Sequence, residues 1–124
     1  MNKTSEEKVI KKTETSVVLE FSVPGSSDYF DGHFPDFPVL PAVAQVFIIT
    51  RYVSHYFGIS ADLSKIMRTK FTSIIKPNTL LVLYLEKKEM NISFKIISTD
   101  EKTIYSTGTL LLSEVDLPEG KYDA

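Results

Sequence analysis

Between Ala42 and Phe57 the chain reads AVAQVFIITRYVSHYF, a stretch with helix-forming length and apolar side chains on nearly every side. A helix of this kind in a soluble protein has to be enclosed by the rest of the fold. Pro41 suits its first turn, where a missing N–H costs nothing, and Gly58 suits its C-terminal cap. The longer apolar run from Val39 to Phe57 carries Gln45, Thr50, Arg51, Ser54 and His55. A membrane span needs about 20 predominantly apolar residues, so a buried helix is expected and a transmembrane one is not.

What encloses the helix must come from the remaining residues, and these read as strands. From Val17 to Val23 apolar residues alternate (Val17, Leu19, Phe21, Val23), the period of a half-buried strand. Pro24, Gly25, Ser26 and Ser27 end it and open a long, aromatic-rich loop that passes Pro35 and Pro38 before reaching Pro41. Beyond a short link containing Asp62, four β-like runs are predicted: Lys65 to Lys76, Thr79 to Lys87, Asn91 to Ser98 and Thr103 to Ser113. They are expected to be antiparallel neighbours, joined by the short polar turns 76–78, 88–90 and 99–102. The run LLVLYL from Leu80 to Leu85 is apolar on both faces, which places it centrally or at a subunit contact.

The expected class is therefore α+β, a five-strand antiparallel sheet wrapped around one long central helix. With 124 residues, one core is expected, so 1–124 reads as a single domain with 1–14 and 114–124 as loosely held ends. Net charge is −2 with acids and bases mixed, so no basic stripe is available to neutralise phosphates and nucleic acid is not an expected partner. Cysteine is absent, which removes disulfides, thiolate nucleophiles and Cys-type zinc sites. Its two histidines, separated by a loop and a helix, lack metal-ligand spacing. The charged N-terminal run MNKTSEEKVIKKTETS has no apolar signal core, so a cytoplasmic protein without a membrane segment is expected.

Residues 29–45 read YFDGHFPDFPVLPAVAQ. This segment resembles the signature of the hot-dog 3-hydroxyacyl-(acyl-carrier-protein) dehydratases of type II fatty acid synthesis, and in particular their small relatives in aryl-polyene pathways. The family pattern is Gly-His-Phe-Pro, two variable residues, Pro, two apolar residues, then Pro-Gly-Val leading into the helix. This chain offers Gly32, His33, Phe34, Pro35, Pro38, Val39, Leu40, Pro41, Ala42 and Val43 in that register. Lys70-Phe71, Ile75-Lys76-Pro77 and Tyr105-Ser106-Thr107-Gly108 look like later family segments, so the resemblance covers nearly the whole chain.

The resemblance implies a homodimer with two acyl-thioester tunnels at the interface, each holding a His from one subunit and a helix carboxylate from the other. It assigns His33 as the catalytic residue. Gly32, Phe34, Pro41, Ala42, Val43 and Phe47 become substrate-binding positions, and the substrate is an acyl thioester on acyl carrier protein. No cofactor is implied. The chemistry is sound on its own terms, because imidazole titrates near neutrality and can take or return the proton beside a thioester carbonyl. Backbone N–H groups at the start of a helix, here Ala42 or Val43, can polarise that carbonyl.

Two departures stand out. Ala42 replaces the family Gly, and Phe47, fourteen residues after His33, occupies the place of the carboxylate. Phe cannot exchange a proton, and neither Val43, Ala44, Thr50 nor Arg51 supplies a substitute. Asp31 and Asp36 flank His33 and could orient it or replace the acid, although solvated turn residues are the plainer reading. His55 fits the helix C-terminus through the dipole, Arg51 fits an interface ion pair, Gln45 fits a tunnel wall or a bond to buried backbone, and Phe47 fits the core or a tunnel wall. Two functions compete: a dehydratase with an unusual acid, and a non-catalytic protein that binds acyl chains or acyl carrier protein, alone or as the inactive half of a heterodimer. A thioesterase is a weaker third, since that class also uses a helix carboxylate.

Overall fold

In a computed structural model of the chain, residues 4–30, 39–59 and 61–114 are described. Strands β1 (Lys8–Lys12) and β2 (Ser16–Phe21) lead through a short 3-10 turn, Asp28–Phe30, toward helix α1 (Ala42–Phe57). Strands β3 (Ala61–Phe71), β4 (Leu81–Lys88), β5 (Asn91–Ser98) and β6 (Ile104–Glu114) follow. The six form one antiparallel sheet in the order β1-β2-β4-β5-β6-β3.

The helix lies against the middle of this sheet. Ala44, Gln45, Val46, Ile48, Ile49, Tyr52 and Val53 are its buried residues. Alternate strand residues meet them in one core, which takes Val17, Leu19 and Phe21 from β2, Leu81, Leu83 and Leu85 from β4, Ile92, Phe94 and Ile96 from β5, and Leu110 and Leu112 from β6. The Phe21 and Tyr52 rings meet edge to face with centroids 5.3 Å apart. As expected, β4 is central, and its second face is apolar too: Val82 is only 7% exposed. The helix starts with Pro41 as its N-cap, one residue outside the first turn, and ends with Gly58 in the left-handed conformation at φ 64°.

Three expectations are corrected. The sheet has six described strands rather than five, because residues 8–12 pair with β2. All five are exposed, so KVIKK carries no alternation that would mark it as a strand. Second, β3 pairs with β6 and not with β4. Residues 72–80 therefore carry the chain from the sheet edge to its centre, and Lys76-Pro77-Asn78 is no hairpin turn. Instead the amide of Asn78 bonds the carbonyl of Val23 at 2.8 Å, Leu40 N bonds Ile75 O at 2.8 Å, and Ile75 is driven into the core at 1% exposure. Third, the helix is not enclosed on every side. Val43 and Phe47 are 60% and 57% exposed.

Two local features carry measurable consequences. In β3 the register with β6 shifts between Met67 and Lys70, and Arg68 takes φ 48°. Thr69 is thereby laid over Gly108, where a Cβ would come within 2.9 Å of both the Thr69 Cα and the Phe94 ring. Gly108→Ala should therefore destabilise the fold by about 1–3 kcal/mol. Urea denaturation would show this as a lower midpoint, and an unchanged midpoint would mean that Thr69 yields freely.

The second feature is a clasp near the N-terminus. Tyr52 Oη donates to Thr4 Oγ1 at 3.5 Å, and Tyr56 Oη donates to the Glu7 carboxylate. Burial pushes the Tyr52 phenol up to about 12, and burial together with the Glu7 bond raises Tyr56 as well. Since both folded-state values lie above the unfolded value of 10.0, the protonated phenols favour the folded state. That contribution is full below pH 10 and is lost as pH rises toward 12. Denaturant midpoints should fall between pH 10 and 12, and less steeply in a Tyr52→Phe, Tyr56→Phe double variant.

Candidate functional site

Residues four apart on a helix share a face. Burial of Ile48, Ile49, Tyr52 and Val53 against the sheet consequently turns Val43, Phe47, Arg51 and His55 outward as one row, and all four are exposed. Along this row runs an open groove of about 810 Å³, lined among the described residues by Tyr29, Phe47, Thr50, Arg51, Ser54, His55, Gly58 and Ile59. Arg51 Nη1 donates to the Tyr29 hydroxyl at 3.4 Å, a long bond. Thr50 turns its hydroxyl back onto the Val46 carbonyl at 2.8 Å. His55 stands in the last turn, as its fit to the helix dipole suggests, with its ring edge-on to Tyr56 at 4.6 Å.

A smaller depression of about 200 Å³ lies at the start of the helix, lined by Leu40, Ala42, Gln45, Phe71, Thr72, Ser73 and Ile74. Pro41 has no side chain able to cap, and the first turn contains no acidic residue. The first intrahelical bond runs from Gln45 N to Pro41 O at 3.1 Å. The N–H groups of Ala42, Val43 and Ala44 thus lack intrahelical acceptors and sit at the positive end of the dipole. Gln45 is 3% exposed; its Nε2 reaches the Leu40 carbonyl at 3.5 Å while Oε1 has no partner among the described residues. The backbone-binding role expected of Gln45 is therefore half realised.

Of the residues singled out from the sequence, Gly32, His33 and Phe34 lie outside the described residues, as do Asp31 and Asp36. Pro41 is the N-cap of α1, and Ala42, Val43 and Phe47 fall within its first turns and are exposed. Ala42 opens on the smaller depression and Phe47 on the larger groove, roughly 7.5 Å apart along the axis at 1.5 Å per residue. Phe47 is not a core residue: its ring is turned away from its own sheet. Within its own chain, among the described residues, Arg51 meets a phenol hydroxyl, and the ion pair expected of it at a subunit interface lies outside a single chain. Tyr29, Thr50 and Ser54 were not singled out from the sequence. Their signal was faint, since Tyr29 looks like one more aromatic in an aromatic loop, and only the helix period puts Thr50 and Ser54 beside Phe47 and Arg51.

Among the described residues no group of three or more His, Cys, Asp or Glu side chains gathers to hold a metal ion. No described helix is long and apolar enough to cross a membrane.

Known proteins share both this architecture and the sequence pattern. Residues 9–109 match the ApeI-like family, described as ApeI dehydratase. The 3-hydroxyacyl-(acyl-carrier-protein) dehydratase FabZ of Pediococcus pentosaceus is 28% identical over 114 residues, covering 82% of this chain and 76% of that protein. The FabZ of Levilactobacillus brevis is 35% identical over 78 residues, covering 57% of this chain and about half, 53%, of its own length. Among solved structures, the dehydratase heterocomplex ApeI:P from Xenorhabdus doucetiae superposes with a TM-score of 0.76 at 24% identity, covering 88% of this chain and 99% of that one. An uncharacterised protein from Erwinia carotovora subsp. atroseptica gives 0.71 at 27% identity, with 90% and 95% covered. With the family match spanning most of its length and the helix-on-sheet architecture shared with these neighbours, the chain belongs to the ApeI-like dehydratase family and is a dehydratase-like hot-dog protein.

Proposed function

We propose that this protein acts on 3-hydroxyacyl thioesters carried by acyl carrier protein, as a dimer, with His33 as the proton-transferring base and a helix that brings no acid of its own. The observation that carries this reading is Phe47, 57% exposed on the groove at the fourteenth position after His33. A ring turned away from its own core belongs to the groove, and this ring has no proton to exchange. The N–H groups at the start of α1, which have no intrahelical acceptors, suit a thioester carbonyl, whose polarisation makes the adjacent C–H acidic enough for an imidazole. Elimination then breaks the bond to the 3-hydroxyl, which leaves as water once protonated. That proton must come from solvent, from Asp31 or Asp36, or from a partner.

A partner is favoured by the same observation. A subunit without an acid fits the inactive half of a heterodimer, and the structural neighbour from Xenorhabdus doucetiae is itself a dehydratase heterocomplex. Pairing is further supported by exposed apolar side chains on two adjoining elements: Val43 and Phe47 on α1, Ile66 and Phe71 on the edge strand β3.

General acid help is commonly worth about 10²–10⁴-fold, so the chain alone should turn over 3-hydroxyacyl thioesters slowly. Phe47→Glu should raise dehydration at least tenfold, provided circular dichroism shows the fold intact, and His33→Ala should abolish that gain. Robust wild-type turnover would sink the missing-acid reading. Sedimentation at micromolar concentration should give a dimer with an interface of roughly 2,000 Å² or more. A stable monomer that dimerises only with an acid-bearing relative would select the heterodimer, and one that pairs with neither would remove the dimer.

A further inference from the structure

We infer that the groove on α1 accepts an acyl ligand bearing a free carboxylate, with Arg51 holding the anionic end; this deepens the acyl-binding reading above and rests on it. Arginine offers five N–H donors in a planar fork that matches a carboxylate with two parallel bonds. The Arg51 guanidinium uses little of that capacity, since its one hydrogen bond among the described residues is the 3.4 Å contact with Tyr29, and it forms no ion pair with them. No described acidic residue lines the groove. Among the described residues, Glu7 shares a separate small pocket with Arg51 and already accepts the Tyr56 hydroxyl.

Phe47 leaves Arg51 without an acidic neighbour one turn earlier on the helix. An acid at 47 would stand one turn before Arg51, the favourable i,i+4 arrangement, and would neutralise it. Phenylalanine at this position removes that competitor and places an apolar residue one turn, about 6 Å of axial rise, before the Arg51 backbone position. A ligand whose carboxylate meets Arg51 therefore lays its first methylenes over the Phe47 ring. The groove, at about 810 Å³, lies within the size range of small-molecule sites. Replacement of the helix acid and exposure of a cation one turn later become one change in ligand preference.

Calorimetric titration of the full chain with decanoate, with 1-decanol and with a neutral 3-hydroxydecanoyl pantetheine thioester tests this. Decanoate should bind more tightly than decanol. Arg51→Gln should weaken decanoate about tenfold or more and leave decanol unchanged, while Arg51→Lys should keep part of the preference. Phe47→Glu should also weaken decanoate, opposite to its expected effect on dehydration. Equal affinity of wild type for decanoate and decanol, or equal losses of both in Arg51→Gln, would overturn the carboxylate site. If the thioester still binds in that case, the acyl reading survives; if no ligand binds, both fall.

Discussion

Everything in this molecule depends on the contact between one side of a sixteen-residue helix and the middle of the sheet. Ile48, Ile49 and Val53 are 0–2% exposed, as are Leu81, Leu83 and Leu85 of the strand at the sheet's centre. At about 1.5–3 kcal/mol for each large apolar side chain fully buried, this contact dominates the stabilising terms, and it fixes the rotation of the helix about its own axis. Once that rotation is set, the row Val43, Phe47, Arg51 and His55 has nowhere to point but outward. The core thus determines which residues form the working face, yet places no demand on their identity. Such a face can lose a carboxylate and gain a phenyl ring without disturbing the fold.

Much of this was legible in the sequence because the signals were local. The helix was marked by Pro41 and Gly58 at its ends, β2 by its alternation, and the centrality of β4 by its two apolar faces. What stayed hidden depended on distant partners. Nothing within residues 65–80 says that β3 pairs with β6 across the sheet; that choice is enforced by Ile75 entering the core and by the 2.8 Å bond between Leu40 and Ile75. The edge strand β1 was hidden because it buries nothing and is held by backbone bonds that any residue could make. Helix exposure was misjudged because apolar content does not distinguish a side covered by its own sheet from one left open.

The candidate site divides in the same way. Counting from His33 in the register that the family resemblance implies leads to Phe47, a step that needs only the sequence and that resemblance. The meeting of Arg51 with Tyr29, 22 positions apart, needs the folded chain. Gln45 is intermediate: the sequence marks it as out of place in an apolar helix, but only the folded chain reveals that its Oε1 lacks a partner among the described residues. An unsatisfied oxygen of this kind costs about 1–3 kcal/mol, comparable to a destabilising point substitution.

The pairing of β2 with β4 brackets the helix in the chain, and this has a consequence for synthesis on the ribosome. When α1 has just been made, β2 already exists but its partner does not, so the core face of Ile48, Ile49 and Val53 has only half a surface to rest on. Roughly thirty further residues must be added before β4 is complete, a delay of roughly two to six seconds at typical elongation rates. For that interval the nascent chain carries an uncovered apolar helix, and its success in folding depends on what shields the helix while the central strand is still being made.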